Sequence, residues 1–335
     1  MPKIFKGSIL LIALWSLCLL STFAVILGYG VRQKIMLASR LDERAKLSLI
    51  AEAGVKRAIA EVKKELAKEY DAVNDYWSIN EEAFKDVFLG DGRFSIYNEY
   101  INDKSGLIEG RFGLVDEERK ININNAQLEV IKDIFRFVLA IDETSAQELA
   151  ASIVDWRDGD SELSIPSGSA EDGFYDDLKY PYEAKDASFG SPDELLLVKG
   201  ITPEIFEKIK DYVTVYGTGK VNANTASKPV LLSVGFRQDI ADKIITLRAG
   251  DDGIWGNADD IIFDSPSSVA FKLDQFYSLG EAMFGQVSAV CDLYLSSSSS
   301  CFTARSIASL KNKKGKRIVL SVFDKEGKIL YWRES

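Results

Sequence analysis

The sequence predicts an α+β fold: one long N-terminal helix, an antiparallel β-sheet, and a large helical insertion containing helix-hairpin-helix-like repeats between two β-rich parts. Three observations predict it. An uncharged run from Ser8 to Val31 continues, without proline, into a stretch rich in Ala, Leu, Lys, Glu and Arg that reaches about Tyr70. Segments rich in Phe, Ile, Tyr and Val lie on both sides of residues 121–285, and the stretch between them reads as helix and loop. Within that stretch Lys120-Ile121-Asn122-Ile123-Asn124-Asn125-Ala126 returns as Lys220-Val221-Asn222-Ala223-Asn224-Thr225-Ala226, the mark of an internal repeat.

The elements follow in order. Residues 1–7 form a short leader with Lys3 and Lys6, and residues 8–31 are long and apolar enough to cross a bilayer as a helix. The lysines hold the N-terminus in the cytoplasm. Two readings fit: a plain N-terminal anchor, or a leader cut between Gly7 and Ser8 on the cytoplasmic side with the apolar helix retained. The second resembles a type IV prepilin leader. Residues 32–70 continue the helix. Met36, Leu37, Leu41, Ala45, Leu49, Ala53, Ile59, Val62 and Leu66 recur at three- and four-residue steps, an amphipathic stripe suited to packing on a head domain.

The head is expected in two parts, residues 71–120 and 286–335. In the first, Arg93–Ile101 and Leu107–Val115 read as strands around a turn at Asn102–Gly106. In the second, Val287–Leu295, Cys301–Leu310, Arg317–Asp324 and Lys328–Arg333 read as strands, with a turn at Asp324–Gly327. Ser296–Ser300 reads as a mobile loop tip. Cys291 and Cys301 either close a hairpin as a disulfide, if the head lies outside the cytoplasm, or are two free thiols on neighbouring strands.

In the insertion, residues 121–285, each repeat motif precedes an apolar helix and then a second helix with an acidic tail, Ala146–Asp158 and Asp239–Asp251. Asn and Thr before each first helix suit N-caps. A half-match, Asp193–Thr202, leads into a helix over Pro203–Val213. Helix-hairpin-helix units often bind DNA through a Gly-x-Gly hairpin and nearby lysines. Here Val234-Gly235-Phe236-Arg237 holds one glycine, Phe137-Val138-Leu139-Ala140 holds none, and Asp239 and Asp242 stand where a phosphate approaches. The units therefore read as packing modules.

Two acidic loops are the candidate sites. The first holds Asp155, Asp158, Asp160, Glu162, Glu171, Asp172, Asp176 and Asp177, with Arg157 as its cation and glycines at 159, 168 and 173. Carboxylates this close repel one another unless protonated, solvated or bridged by a cation. Calcium takes six to eight oxygens and needs neither nitrogen nor sulfur. The second loop, Asp251-Asp252-Gly253-Ile254-Trp255-Gly256-Asn257-Ala258-Asp259-Asp260, offers Asp251, Asp252, Asn257, Asp259 and Asp260, without EF-hand spacing. Either loop is a calcium cage or a solvated acidic loop. A glycosidase-like carboxylate pair near Trp156, Tyr175, Tyr180 and Tyr182 is a third, enzymatic reading.

Composition narrows the function. The chain has 335 residues, a net charge of −10 and no histidine. Histidine bases, Ser-His-Asp triads and His-ligated zinc are excluded. The negative charge makes nucleic acid a poor partner.

Taken in order, these segments resemble the K subunit family of the type II (general) secretion pathway, the minor pseudopilins. The resemblance rests on Lys6-Gly7 and the helix to Tyr29, Leu114-Val115-Asp116-Glu117 leading into Lys120–Asn124, and Asp155-Trp156-Arg157-Asp158 with Glu171-Asp172. Tyr180-Pro181-Tyr182 with Ala184-Lys185, Asp193-Glu194-Leu195 and Val221–Ala226 complete it. Ile12 stands where most prepilins carry a Glu that pairs with a neighbour's N-terminal amine, as expected of a K-type subunit at a filament tip. Ser8 stands where pilins usually have Phe or Met. The resemblance implies a pilin-like head with no enzymatic activity and a prepilin peptidase acting at Gly7, leaving Ser8 or its methylated form as the first residue. It implies a single-pass inner-membrane anchor with a periplasmic head, and structural calcium at two sites. It further implies I and J minor pseudopilins as partners, in a tip that starts a pseudopilus pushing folded proteins through an outer-membrane secretin. The rivals are a membrane-anchored DNA receptor of the competence type and a minor pilin of a type IV pilus.

Overall fold

The computed structural model describes residues 6–101, 106–166 and 168–335, with side chains from Ile9 onward. Helix α1 spans Lys6–Lys64, about 88 Å at 1.5 Å per residue. It is followed by α2 (Glu81–Phe84), capped by the Asn80 side chain, and by strands β1 (Val87–Leu89), β2 (Gly92–Ile101), β3 (Ile108–Phe112) and β4 (Val115–Asp116). The insertion holds β5 (Ile121–Asn122), α3 (Leu128–Leu139), α4 (Glu143–Arg157), α5 (Asp172–Asp176), α6 (Pro203–Ile209) and β6 (Val213–Thr214). It continues through β7 (Val221–Asn222), α7 (Lys228–Ser233), α8 (Gln238–Arg248), α9 (Pro266–Tyr277), α10 (Glu281–Tyr294) and β8 (Leu295–Ser296). Strands β9 (Cys301–Leu310), β10 (Lys316–Asp324) and β11 (Ile329–Glu334) close the head.

The head is an antiparallel sheet in the order β1-β2-β9-β10-β11, with β3 on β2 and β4 on β9. One face covers the C-terminal third of α1. Leu47, Ile50, Ala51, Val55, Ala58 and Val62 are buried there against Phe94, Ile96, Ala304, Ala308, Val319 and Phe323. Gly54 lets helix and sheet touch, since a Cβ at that position meets Ser306 Oγ at 2.2 Å and the Phe94 ring at 3.0 Å. The anticipated stripe is thus corrected. Val62 belongs to the core and Ile59 packs at its margin, but Met36, Leu37, Leu41, Leu49 and Leu66 are exposed. The residues facing the sheet follow the 47/50/51/54/55/58/62 register, and the helix before Leu47 runs beyond the sheet. The helix also ends at Lys64, short of Tyr70. Lys68 pairs with Glu65 and Asp75, and the Asp71 N–H donates to Ser297 O, turning the chain toward the insertion.

The insertion consists of two related units. In each, a short strand pairs in parallel with a later one: β5 with β6 through Ile121↔Val213, and β7 with β8 through Val221↔Leu295. In each, the motif's first Asn closes a turn, accepting from the N–H of the second (Asn124 to Asn122, Asn224 to Asn222, both 2.9 Å). A helix pair follows, α3–α4 or α7–α8. Its link uses a left-handed residue two positions before the second helix's N-cap: Ala140 (φ 54) before Asp142, and Gly235 (φ 104) before Arg237. Both units share one core, including Ile123, Ile131, Phe135, Ile153, Leu231, Ile244 and Leu273.

Three expectations at the C-terminal boundary are overturned. Val287–Leu295 is mainly helix, not strand. Val287 and Cys291 face the insertion core four residues apart, on one side of α10. The insertion therefore runs past 285, through β8. Ser296–Ser300 is not a mobile tip: Ser297 and Ser299 are buried, and Ser297 Oγ donates to Asp264 O at 2.9 Å. The anticipated turn residues Asn102–Ser105 lie outside the described residues.

Candidate functional site

Helix α4 ends at Arg157, with Asp158 as its C-cap, and delivers Asp155 and Asp158 to the first acidic loop. The loop returns Asp160 and Glu171 to the same place. Carboxylate oxygens of Asp158, Asp160 and Glu171 lie within 4.8 Å of one another, and among the described residues no other such trio does. Asp155 borders the group; its Oδ1 accepts from Ser164 N–H at 3.0 Å. Asp155 Oδ2, Asp158 Oδ1 and Glu171 Oε1 are buried without a donor among the described residues. Burial first, then the Asp155, Asp158, Asp186 and Asp160 carboxylates, push Glu171 up to about 7. Burial and the neighbouring Asp160 and Asp155 also raise Asp158. The local cation does not relieve this charge by hydrogen bonding to it: Arg157 Nη2 donates to Ala126 O at 2.6 Å.

Two expected residues stand apart. Asp172 Oδ1 accepts from Ala184 N–H at 2.8 Å and staples the loop, while Asp176 is exposed on α5. Asp186, which sequence reasoning missed, enters the cluster's field from a left-handed position (φ 50), its N–H on Trp156 O. Its signal was faint: a lone Asp far along the chain, brought back by the loop. Behind the loop Trp156 meets Tyr175 edge-on at 5.1 Å and Tyr175 stacks on Tyr182 at 5.2 Å, but Trp156 and Tyr175 are buried core, not an open sugar-binding platform.

The second loop is folded by its own carboxylates. Asp259 Oδ2 accepts from the N–H groups of Asp251 (2.8 Å) and Asp252 (3.3 Å). Asp252 accepts from Ile254 N–H and Asn257 Nδ2, Asn257 Oδ1 from Asp259 N–H, and Asp260 Oδ2 from Gly256 N–H. Left-handed Gly250 and Gly256 sit within this turn. Asp260 Oδ1 is buried with no donor among the described residues, and burial raises its carboxyl. Asp251 contributes its backbone to this arrangement.

The two loops are equivalent in the repeat. Each begins after an arginine that donates to a backbone carbonyl of its motif, though at different motif positions: Arg157 to Ala126 O, and Arg248 to Ala223 O. Each ends at a phenylalanine whose backbone is gripped by the motif's second Asn. Asn124 exchanges two hydrogen bonds with Phe189 (2.8 and 3.0 Å), and Asn224 with Phe263 (2.8 and 2.9 Å).

Cys291 and Cys301 are not bridged; both are free and buried. The hairpin that would join them does not exist, because Cys291 lies on α10 in the insertion core and Cys301 opens β9. Gly7 and Ser8 fall in the first turn of α1, and Met1–Phe5 of the expected leader lie outside the described residues. Helix α1 is long and apolar enough to cross a membrane by length and composition, with its apolar part unburied. In the second helix hairpin the cations are engaged: Lys228 pairs with Asp242 and Arg237 with Asp239.

Residues 110–218 match the family model described as type II secretion system (T2SS), protein K. The type II secretion system protein K of Aeromonas hydrophila is 34% identical over 89 residues, which span 26% of this chain and 27% of that protein. The fold is shared with a chain of the crystal structure of the GspK-GspI-GspJ complex from the enterotoxigenic Escherichia coli type 2 secretion system. The match has a TM-score of 0.66 and 15% identity, and covers 89% of this chain and 99% of that one. Residues 110–218 thus resemble the type II secretion system protein K family, over about a third of this chain.

Proposed function

We propose that this protein is a minor pseudopilin at the tip of a type II secretion pseudopilus, where it joins I and J minor pseudopilins and helps start assembly for export of folded proteins across the outer membrane. The match of residues 110–218 to the protein K family carries the reading. The likeness to a chain of the GspK-GspI-GspJ complex supports the choice of partners. The chain's part is structural, not enzymatic. Helix α1 anchors it in the inner membrane by a single pass, with the head in the periplasm, after a prepilin peptidase cuts between Gly7 and Ser8. The bulk of the insertion suits a tip, since a subunit stacked above it has no room. Co-expression of the full chain with the I and J subunits of the same system should give a complex that survives purification in detergent. Recovery of the chain without I and J would overturn the reading.

Calcium is proposed as a structural ion at the first acidic loop, held by Asp158, Asp160 and Glu171 with Asp155 and Asp186 alongside. The donor set is all oxygen, and carboxylate oxygens are buried there without donors. The proposal extends to the second loop through Asp260 Oδ1, but there Asp252 and Asp259 must exchange backbone N–H partners for the ion.

A further inference from the structure

The chain leaves the head at Asp116–Lys120 and returns at Ser297–Cys301, and both crossings run through one buried polar cluster. Asp71, Asp116, Glu117 and Glu118 are all buried there. Lys325, from the turn between β10 and β11, pairs with Asp71 at 2.7 Å, and Lys120 pairs with Glu117 at 2.7 Å. Among the described residues no cation pairs with Asp116 or Glu118. Two buried carboxylates sharing a site do not ionise together without a large penalty.

Their hydrogen bonds differ in kind. Glu118 accepts from the backbone N–H groups of Thr218 (3.0 Å), Ser300 and Cys301 (3.4 Å), and from Ser300 Oγ (2.8 Å). Backbone donors cannot reverse. Asp116 Oδ1 accepts from Glu118 N–H at 2.8 Å. Its Oδ2 meets Thr225 Oγ1 at 2.5 Å, Ser299 Oγ at 2.7 Å and Asn222 Nδ2 at 3.0 Å. A hydroxyl can turn from donor to acceptor, so a proton on Oδ2 is met by Thr225 or Ser299. Asn222 Nδ2 keeps Ser299 Oγ and Asp71 O as acceptors.

These partners come from three places: Asn222 and Thr225 from the second repeat motif, Ser299 from the returning strap, and Asp71 from the segment after α1, its Oδ2 accepting from Ser299 N–H at 2.7 Å. We infer that Asp116 is a proton-operated latch: protonated, it locks the insertion to the head through Asn222, Thr225 and Ser299, and ionised, it loosens that junction. The charged groups around it are Glu118 and the Glu117–Lys120 pair on its own segment and Asp71 with Lys325, while the Lys68–Asp75 pair acts on Asp71 and the Cys301 thiol on β9 lies near Glu118. Thr214 and Thr303 hold Glu117 on its far side. Burial, then the Glu118 and Asp71 carboxylates, push Asp116 from 3.8 up to about 7. The junction's contribution is therefore fully present below the ordinary value of 3.8 and is lost as pH rises through about 7. The inference does not depend on what the chain assembles with.

The test is amide hydrogen exchange of the full chain in detergent micelles, corrected for intrinsic rates. Protection of segments 116–120 and 297–301 should fall about tenfold per pH unit between about pH 5 and pH 7. Asp116→Asn, a neutral stand-in for the protonated acid, should hold protection constant across that range. Glu118→Gln removes the neighbouring charge, and should raise protection at pH 7 and end the fall at lower pH; it decides the matter if Asp116→Asn does not fold. Equal pH profiles for the wild type and both variants, or flat protection in the wild type, overturns the latch.

Discussion

Asn224 shows how one side chain organises a distant loop. Its amide donates to Phe263 O and accepts from Phe263 N–H, 39 residues on, and it also reaches Asp71 O at 3.2 Å. Asn224→Ala leaves buried backbone groups of Phe263 without partners, and should lower the unfolding free energy by on the order of 3 kcal/mol in urea titration. Asn124→Ala should cost less, because its clamp on Phe189 is only part-buried. The repeat of the two motifs was plain in the sequence; the clamp was not. A sequence shows that an Asn recurs, but not which backbone 65 or 39 residues away it will grip. Asp186 escaped for the same reason, whereas Asp158, Asp160 and Glu171 were visible because carboxylate density around a turn is a local signal.

At the scale of elements, strands β9 and β10 were legible because alternating apolar residues, such as Phe302, Ala304 and Ala308, meet one buried face. The stretch 287–295 was misread because a short apolar run fits either period, and only the partner surface decides. Here that surface is the insertion core, which takes Val287 and Cys291 from one helix face. The serine strap was misread from composition, since small polar residues are loop-like until a buried carboxylate cluster gives them partners. The loops themselves make a testable pair. If calcium binds only the folded protein, saturation at a hundredfold over Kd adds about 3 kcal/mol. A chelator should then lower the melting temperature of the full chain, and calcium should restore it, with magnesium a poor substitute. Asp158→Asn with Glu171→Gln should remove most of that response, and Asp259→Asn with Asp260→Asn a smaller part. Superimposable melting curves with chelator and with calcium would mean the loops are solvated acidic turns.

For the whole molecule, charge and architecture point the same way. A net charge of −10, with Lys228 and Arg237 already paired to aspartates at the second helix hairpin, leaves little to attract a phosphate backbone. Fluorescence anisotropy with duplex DNA at moderate salt should show no binding in the micromolar range, and tight, salt-sensitive binding would favour the DNA-receptor alternative. The pairing of β4 with β9 has a different consequence. Val115 lies opposite Thr303 and Asp116 opposite Phe302, so the point where the chain departs for the insertion and the point where it comes back are hydrogen-bonded neighbours. The insertion is thus a cassette with adjacent ends. A short turn spliced from Asp116 to Phe302 would close an ordinary antiparallel hairpin and keep the head's strand order, but it would strip Asp71 and Asp116 of their buried partners Asn222, Thr225 and Ser299, so exchanging the cassette also requires replacing those two carboxylates.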